Sequence, residues 1–284
     1  MSFERPARRV CSYTRRMGKL EGRTAVVVGG HSGFGEAISR LFAAEGAQVV
    51  IAARRADLVR EVAESIGGTG VECDITDDAQ VQRLVEQATA AAGAIHIAVN
   101  CAGFEQSTAL ADLTPERLEA MHSVQLTGAL YCMRHLGNAM AAHGQGGAYL
   151  SLSSLTAQNP SRGLTAYASA KAGIEYATKI AAVEYGPKQV RFNAVAASLI
   201  ETPMTARIFQ IKPAIAALDE VTPLGHPGTV DDIARAALFL CGPDGAYITG
   251  QTLCVDGGAS LLMLPTAQMF ADVARRWSEA EAAT

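Results

Sequence analysis

The amino-acid sequence predicts a single α/β domain with a doubly wound, seven-stranded parallel sheet and helices on both faces. Short runs that are apolar throughout, such as residues 24–28 and 190–195, alternate with helical patterns along the chain. Strands that are apolar on both sides are typical of a parallel sheet covered by helices. Right-handed crossovers between such strands give a doubly wound arrangement.

The individual elements follow from this alternation. Strands are predicted at 24–28, 48–52, 70–73, 95–100, 148–152, 190–195 and 251–255. Helices are predicted from the glycine-rich turn 29–35 through Glu45, and at about 57–66, 77–92, 115–142, 167–185 and 229–241. Thr114 and Pro115 mark the start of the fourth helix, because threonine caps a helix and proline fits its first position. The proline-rich, apolar segment 199–224 breaks the pattern and predicts either a lid or a packed helical hairpin.

The 284-residue chain is expected to contain one domain, residues 20–264, with a short segment on either side. Residues 1–19 carry six basic side chains and one acid, Glu4. We expect a disordered extension, or a sequence whose start has been placed upstream of the true start at Met17. A transit peptide is not favoured, because no apolar signal core is present. The tail, residues 265–284, is predicted to be either a helix that covers a neighbouring subunit's site or a frayed end.

Charge and composition exclude several classes of function. The net charge is −4 and no long basic patch follows residue 19, so no nucleic-acid partner is expected. The six cysteines contain no C-x-x-C pair and the six histidines no ligand-like spacing. This predicts reduced thiols in a cytoplasmic protein, and no metal site. No apolar stretch approaches ~20 residues, so no membrane-spanning helix is expected.

A glycine-rich turn follows the first predicted strand, with Gly29, Gly33 and Gly35 spaced as G-x-x-x-G-x-G. Glycine permits a positive φ and lets a phosphate approach the backbone closely. The helix that follows directs its free N–H groups and its dipole to the same place. Glycine turns also occur without a ligand, but the position after the first strand favours a dinucleotide pyrophosphate site.

The end of the second predicted strand favours one dinucleotide over the other. A carboxylate about 20 residues after the glycines usually binds the ribose 2′-hydroxyl of NAD. This sequence instead has Arg54 and Arg55, two guanidiniums suited to charge-assisted contacts with a 2′-phosphate. We therefore predict NADP(H) in preference to NAD(H). The alternative is that both arginines are the solvated start of a helix.

Two further strand ends are predicted to contribute, since ligands of such sheets bind at the carboxyl ends of the strands. Asp74 and Ile75 follow the third strand, where a carboxylate can accept a hydrogen bond from an adenine amino group. A turn or N-cap role is the alternative for Asp74. Asn100, Ala102 and Gly103 end the fourth strand, and the small residues suit a backbone that passes beside a ribose.

Tyr167 and Lys171 lie four residues apart in a segment with helical character, so we expect them on one face of a helix. A phenol with its ordinary pKa near ~10 is a poor acid–base group at neutral pH, and a neighbouring cation should lower that pKa. Ser154 adds a hydroxyl at the end of an apolar strand. These groups suit proton transfer to or from an alcohol or carbonyl oxygen. Alone, Y-x-x-x-K more often marks a half-buried aromatic beside a solvated charge.

Taken together, these motifs resemble the short-chain dehydrogenase/reductase family in its single-domain form, over roughly residues 20–262. The resemblance implies a Rossmann fold and hydride transfer between a nicotinamide and a carbinol or carbonyl carbon. It implies that Tyr167 is the proton donor or acceptor, that Lys171 lowers its pKa and holds the nicotinamide ribose, and that Ser154 contacts the substrate oxygen. It also implies that phosphates and carboxamide are held by Ser32, Phe34, Ile200 and Thr202.

The sequence departs from the family pattern at three places. Val28 replaces the usual threonine before the glycine turn, and Ala197 with Ser198 replace a Pro-Gly pair after the sixth strand. Gln125 replaces an asparagine of the long helix, which in the family shapes a kink and offers its main-chain carbonyl to a water linked to the lysine. The carbonyl survives this substitution and the kink need not, so we expect retained activity with a perturbed proton relay.

The leading hypothesis is therefore an NADP(H)-dependent alcohol dehydrogenase or ketone reductase. The apolar segment 199–224 favours an apolar or alicyclic secondary alcohol or ketone as substrate. The alternatives are an NAD-dependent alcohol or diol dehydrogenase, a non-catalytic dinucleotide-binding regulator on the same fold, and an epimerase or dehydratase. The resemblance implies a homotetramer or homodimer joined through the helices at 115–142 and 167–185.

Overall fold

A computed structural model describes residues 18–261 and 267–282 of the chain. The strands within them are β1 (Thr24–Val28), β2 (Gln48–Ala53), β3 (Thr69–Glu72), β4 (Ile97–Asn100), β5 (Gly147–Ser154), β6 (Val190–Ala197) and β7 (Thr252–Val255). They form one sheet in the order β3-β2-β1-β4-β5-β6-β7, and every neighbouring pair is parallel. The seven-stranded parallel sheet predicted from the sequence is confirmed.

Helices cover both faces of this sheet. Their bounds are α1 (Gly33–Ala44), α2 (Ala56–Ser65), α3 (Asp78–Ala92), α4 (Pro115–His122), α5 (Ala129–Ala142), α6 (Thr165–Tyr185), α7 (Ala206–Phe209), α8 (Lys212–Glu220), α9 (Val230–Cys241) and α10 (Ala267–Ala282). Helices α1, α2 and α9 share a hydrophobic core with one face, and α3, α5 and α6 share a second core with the other.

Strand β1 shows why the central runs are apolar throughout. It lies between β2 and β4, and all five of its residues are buried. Val27 belongs to the core on one face and Val26 to the core on the other, as the alternation of side chains in a strand requires. A polar side chain at either position would be buried away from water, which costs free energy unless a hydrogen-bond partner is present.

The fourth strand begins two residues later than its apolar run, at Ile97 instead of residue 95. The preceding residue, His96, is tied to the start of β1 by a bond from its N–H to the Thr24 carbonyl at 3.0 Å. Its ring Nδ1 also accepts a hydrogen bond from the Thr24 N–H at 3.2 Å. The His96 ring nitrogen therefore accepts a hydrogen bond from a main-chain N–H that would pair with a carbonyl group in a regular sheet ladder.

The predicted helix 115–142 consists of α4, a π-helical turn at Ser123–Gly128, and α5. Thr114 caps α4 by accepting a hydrogen bond from the Arg117 N–H, and Pro115 occupies the first turn, as the sequence predicts. Gln125 lies inside the π-helical turn, so the helix is interrupted here although the family's asparagine is missing. Such turns within α-helices are frequent at functional sites.

The segment 199–224 contains two short helices, α7 and α8, and the tail contributes α10, which packs on α8 of its own chain. Residues 1–17 of the predicted N-terminal extension lie outside the described residues, as do 262–266 and 283–284. Leu20, near the start of the described chain, is buried in the core with α1 and α9.

The order of the strands creates a crevice above β1 and β4. The chain runs outward from β1 to β3 on one side and from β4 to β7 on the other. Ligands of open α/β sheets bind where the strand order reverses in this way, outside the carboxyl ends of the strands. The residues that follow β1, β4, β5 and β6 are therefore brought together at one edge of the sheet.

Candidate active site

The turn after β1 brings the backbone against the end of β4. Gly29 has a φ of +74°, and a Cβ placed on it would lie 2.8 Å from the Ala102 nitrogen. A Cβ on Gly35 would lie 2.2 Å from the carbonyl oxygen of Gly29. No real Cβ tolerates such approaches, which explains why the sequence has glycine at both positions.

Helix α1 begins at Gly33, and its N-cap residue Ser32 makes no side-chain capping hydrogen bond. The first N–H groups of the helix therefore remain available to an anion, and the helix dipole favours negative charge at the same place. With no Cβ on Gly29 or Gly35 to fill the turn, the residues present fit a dinucleotide pyrophosphate.

Arg55, the N-cap residue of α2, reaches back to the glycine turn. Its Nη2 lies 2.7 Å and its Nε 3.2 Å from Nε2 of His31. Burial lowers the pKa of His31, and the Arg55 charge lowers it further, so the ring accepts the hydrogen bond in its neutral form. Arg54 is exposed. One of the two predicted guanidiniums thus lies directly beside the turn.

Asp74 closes a tight turn after β3. Its Oδ1 accepts hydrogen bonds from the N–H and Oγ1 of Thr76 at 2.9 and 2.8 Å. The carboxylate is therefore engaged in the turn role that competes with the adenine contact. Ile75 is buried against the π-helical turn, where a Cβ on Gly128 would lie 2.8 Å from the Ile75 carbonyl oxygen.

The segment after β4 folds back towards the π-helical turn. Asn100 is buried, and its Oδ1 accepts a hydrogen bond from the Ala102 N–H at 3.1 Å. Gly103 lies against the side chain of Gln125, because a Cβ on Gly103 would be 2.7 Å from Nε2 of that residue. Gly103 is thus the point where the β4 segment contacts the long helix.

Gln125 links these two parts of the site through its side chain. Its Nε2 donates a hydrogen bond to the Phe104 carbonyl, while its buried Oε1 has no hydrogen-bond partner among the described residues. Only 2% of the residue is exposed. The resemblance assigns a role to the main-chain carbonyl at this position, and the structure adds a side-chain contact that fastens residues 103–105.

Ser154 ends β5 and is oriented by its neighbour Thr156. The Ser154 Oγ accepts hydrogen bonds from the N–H and Oγ1 of Thr156 at 3.2 and 2.9 Å. A hydrogen bond with Ser154 also acts on the Tyr167 hydroxyl and lowers the pKa of the phenol. Because Thr156 supplies two donors, the serine's own proton is left for the phenol or for a substrate oxygen.

Tyr167 and Lys171 share one face of α6, as their spacing predicts, but the expected acidification of the phenol is wrong. Burial dominates and raises the pKa of Tyr167; the Ser154 hydrogen bond lowers it and the Glu105 charge raises it. The Lys171 Nζ lies 5.6 Å from the centroid of the tyrosine ring and donates to the Leu152 carbonyl at 2.6 Å. Burial lowers the pKa of Lys171 from 10.5 to about 8.

The segment after β6 is held by a residue that the sequence did not single out. Thr205 Oγ1 accepts a hydrogen bond from the Thr202 N–H at 2.9 Å and contacts the Ile200 carbonyl at 2.6 Å. The methyl group of Thr202 packs against Gly33, where a Cβ would lie 3.4 Å from it. Thr202 therefore lies against the glycine turn, whereas Ile200 is held through its carbonyl, to which the Thr205 hydroxyl donates.

These segments enclose a cleft of about 510 Å³. The predicted site residues that line it are Ser32, Gly33, Phe34, Gly35, Gly103, Gln125, Ser154, Tyr167, Lys171, Ile200 and Thr202. The predicted residues that do not line it are Gly29, Arg54, Arg55, Asp74, Ile75, Asn100 and Ala102. The cleft therefore joins the glycine turn to the three acid–base groups.

Among the other side chains that line the cleft, Glu105 and Phe270 were not singled out by the sequence analysis. Glu105 lies two residues after Gly103, and partial desolvation raises its pKa. An acid this close to a predicted site was a usable signal. Phe270 comes from α10, and no local pattern in the sequence connects it with Tyr167.

Two wider searches bear on partners of other kinds. Within residues 18–261 and 267–282, no group of three or more His, Cys, Asp or Glu side chains is placed to hold a metal ion. None of the described helices combines the length and the apolar character needed to cross a membrane.

Comparisons with known proteins agree with this geometry. A family model described as enoyl-(acyl carrier protein) reductase matches residues 28–260. The chain is 35% identical to the mitochondrial (−)-isopiperitenol/(−)-carveol dehydrogenase of Mentha piperita, covering 86% of this chain and 96% of that one. It is 34% identical to 3beta-hydroxysteroid dehydrogenase 1 of Eggerthella lenta, covering 85% and 95%. A short-chain dehydrogenase/reductase structure from Mycobacterium ulcerans matches with a TM-score of 0.83 at 30% identity, covering 87% and 92%.

The fold and the relatives together define an oxidoreductase of the alcohol dehydrogenase and ketone reductase type that binds a nicotinamide dinucleotide. Since the family model matches more than half of the chain, the protein belongs to the short-chain dehydrogenase/reductase family. The family and the Rossmann-type fold expected from the sequence are both confirmed.

Proposed function

We propose that the protein transfers a hydride between NADP(H) and a secondary alcohol or ketone of apolar or alicyclic character. One observation carries this proposal: Ser154, Tyr167 and Lys171 line the same cleft as the glycine turn. A hydroxyl, a phenol and an ammonium beside a dinucleotide site provide what proton transfer to a carbinol or carbonyl oxygen requires.

The chain's own residues supply the acid–base chemistry. When bound, NADP(H) supplies or accepts the hydride at nicotinamide C4. In reduction, the Tyr167 hydroxyl donates its proton to the carbonyl oxygen while Ser154 donates a hydrogen bond to the same oxygen; in oxidation the proton returns to the phenolate. Burial raises the pKa of Tyr167, so the phenol is protonated at neutral pH, which is the form that donates a proton, although the same burial makes it a weaker acid.

Replacement of the phenol tests this proposal directly. Tyr167→Phe removes the transferable proton, and we expect kcat to fall by roughly 10²–10⁴-fold, the usual contribution of a positioned acid or base. The measurement is the absorbance change of the reduced nicotinamide with a panel of ketones and alcohols. Phe retains the ring, so unchanged affinity for NADPH serves as the control for folding. Turnover at the parental rate by Tyr167→Phe would reject the proposal.

The preference for NADP(H) rests on the two arginines after β2. The contact of Arg55 with His31 supports it, because it holds a guanidinium beside the turn where a 2′-phosphate would bind. Arg54 is exposed and adds a second positive charge. The residues that would hold the rest of the coenzyme are the α1 N-terminus for the pyrophosphate and Lys171 for the nicotinamide ribose.

The coenzyme preference is tested by changing the charge of the side chains at the end of β2. The double variant Ala53→Asp with Arg54→Ala introduces the acid that NAD-binding members carry and removes one guanidinium. We expect the ratio of kcat/KM for NADPH over NADH to fall by about tenfold or more, the value of a lost charge-assisted hydrogen bond. Arg60→Ala, which removes an exposed arginine from the following helix α2, is the control. An unchanged ratio in the double variant would rule out this account of the preference, and a parent that favours NADH would indicate an NAD-dependent dehydrogenase.

The substrate class is inferred from the side chains that line the outer part of the cleft. Met204, Ile208 and Leu218 come from the segment 199–224 and are all apolar. The first two remain 57% and 36% exposed, so apolar surface is available to a ligand. The related chains named as a carveol dehydrogenase and a hydroxysteroid dehydrogenase support an alcohol or ketone of this type.

We further infer a homodimer or homotetramer that forms through the long helices. Helix α6 exposes Tyr176, Ile180 and Val183, with 66%, 48% and 78% of their surface accessible. Their spacing places them along one side of the helix, and such a stripe is typical of an interface. Light scattering measures the mass in solution. The double variant Tyr176→Lys with Val183→Lys should shift it to the monomer, and a monomeric parent would contradict the inference.

A cytoplasmic location is proposed from the cysteines. The five within the described residues are all free thiols, which is typical of a reducing compartment. One relative is named as mitochondrial, so organelle import is the alternative. Cell fractionation with an antibody against the chain distinguishes the two.

A further inference from the structure

Helix α10 is fastened to the segment that covers the cleft. It packs on α8, and Val273 is buried in that contact with only 3% of its surface exposed. Nη2 of Arg276 lies 3.2 and 3.3 Å from the two carboxylate oxygens of Glu220, the last residue of α8. Both partners are well exposed, so the ion pair adds little stability. The burial of Val273 therefore contributes more than the ion pair to holding α10 in place.

The same helix contributes a side chain to the cleft. Phe270 stands three residues before Val273, on the same side of the helix, and is half-buried. It lines the cleft that contains Ser154 and Tyr167, together with Leu218 of α8. An aromatic ring in this position offers a large apolar surface with a fixed shape.

This contribution lies outside the part of the chain that the family model matches. The match ends at residue 260, whereas α10 begins at residue 267. The glycine turn and the acid–base groups lie within the matched part. Phe270 lies beyond it, and it lines the cleft without being part of the acid–base set.

We propose that Phe270 is a specificity-determining residue, and that α8 and α10 form an apolar wall that selects a ring-bearing ketone or alcohol over a small one. The inference rests on the proposed function, since it names the substrate class of the same cleft. Leu218 and Phe270 are apolar and line the same cleft as Ser154 and Tyr167. A ring-bearing ketone has the apolar surface to contact this wall, whereas a three-carbon ketone has little.

The test compares two ketones, acetone and 2-decalone, in the full-length protein. Phe270→Ala removes the ring, and kcat/KM for 2-decalone should fall by about tenfold or more while the value for acetone changes less than about twofold. Phe270→Leu keeps part of the apolar volume and should give an intermediate loss. Trp277→Ala, on the same helix but outside the cleft lining, is the matched control and should leave the ratio of the two ketones unchanged.

A binding measurement separates this inference from the proposed reaction. Calorimetric titration of 2-decalone into the protein loaded with NADP⁺ requires no turnover. Weaker binding by Phe270→Ala, with NADP⁺ affinity unchanged, supports the apolar wall even when no ketone is reduced, and the absence of reduction would then reject only the reaction. The inference of an apolar wall is rejected if the parent does not bind 2-decalone. It is also rejected if the folded Phe270→Ala protein keeps the parental affinity for 2-decalone and the parental ratio of kcat/KM for the two ketones.

Discussion

The two halves of the cleft are built in different ways. In the coenzyme half, main chain approaches main chain: a Cβ on Gly35 would lie 2.2 Å from a backbone oxygen, and the adjoining strand β1 is completely buried. In the substrate half, side chains come from α7, α8 and α10 and from the turn before α7, where Met204 is 57% exposed. Backbone held by a sheet has few alternatives, whereas side chains on α7, α8 and α10 can change without disturbing the sheet. Coenzyme recognition is thus encoded locally, and substrate recognition depends on how distant segments pack.

The largest effect on ligand binding is expected in the coenzyme half. Gly35→Ala places a methyl group against the Gly29 carbonyl, and the backbone must shift at a cost of ~1–3 kcal/mol. We expect the Kd for NADPH, measured by fluorescence titration, to rise roughly ten- to hundredfold. Gly186→Ala is the control, because Gly186 has a φ of −51° and no atom near its would-be Cβ. Parental affinity in a folded Gly35→Ala protein would show that the close approach is not required.

The second prediction concerns stability and pH at Lys171. Its pKa is lowered from 10.5 to about 8, so the buried ammonium destabilises the fold below pH 8 and this cost is relieved as the pH rises towards 10.5. Urea unfolding measures the free energy of unfolding of the two proteins. Across this window the value for the parent should rise relative to that for Lys171→Met by on the order of 3 kcal/mol. Parallel stability curves for the two proteins would mean that the ammonium is not desolvated as the structure indicates.

A smaller effect is expected at Glu105, where the two halves meet. The Glu105 charge raises the pKa of Tyr167, because it opposes formation of the phenolate. Glu105→Gln removes this charge and lowers the pKa of the phenol. Alcohol oxidation needs the phenolate, so the rising limb of its pH profile should move to lower pH. Glu119→Gln, an exposed acid on α4, should leave the profile in place, and a shift of Glu105→Gln to higher pH would contradict the coupling.

The smallest effect is expected for Gln125→Asn. Gln125 lies within the π-helical turn, and Asn restores the residue usual in the family. The rate of ketone reduction should equal or exceed that of the parent. A loss of about a hundredfold or more, equivalent to nearly 3 kcal/mol in the barrier, would show that the contact of Gln125 with the Phe104 carbonyl is required. The coenzyme half would then depend on a side chain as well as on backbone.

The same difference between the halves explains how much the sequence could predict. The strands were predictable because burial on both faces demands unbroken apolar runs, as in β1. The start of β4 was missed because the His96 ring accepts a main-chain hydrogen bond that the sheet would otherwise make. The pattern of apolar residues carries no information about such a side-chain contact. The helix break at Ser123–Gly128 follows from backbone hydrogen bonding, to which the pattern of apolar residues is blind.

In the site, residues that act through their backbone or through local spacing were predictable. Gly29 and Gly35 stand where only glycine fits, and Tyr167 and Lys171 share a helix face. Contacts between distant segments were not predictable: Phe270 reaches the cleft from the tail. The pKa of Tyr167 was expected to fall and instead is raised, because burial depends on the whole fold and spacing reports only the neighbouring ammonium.

The position of α10 has a practical consequence for engineering. The helix packs chiefly on α8, another peripheral element, and none of its described residues belongs to the two cores on the sheet. Randomised libraries confined to its cleft-facing positions should therefore yield a high proportion of folded members. Each would have a differently shaped entrance to the cleft and unaltered acid–base residues.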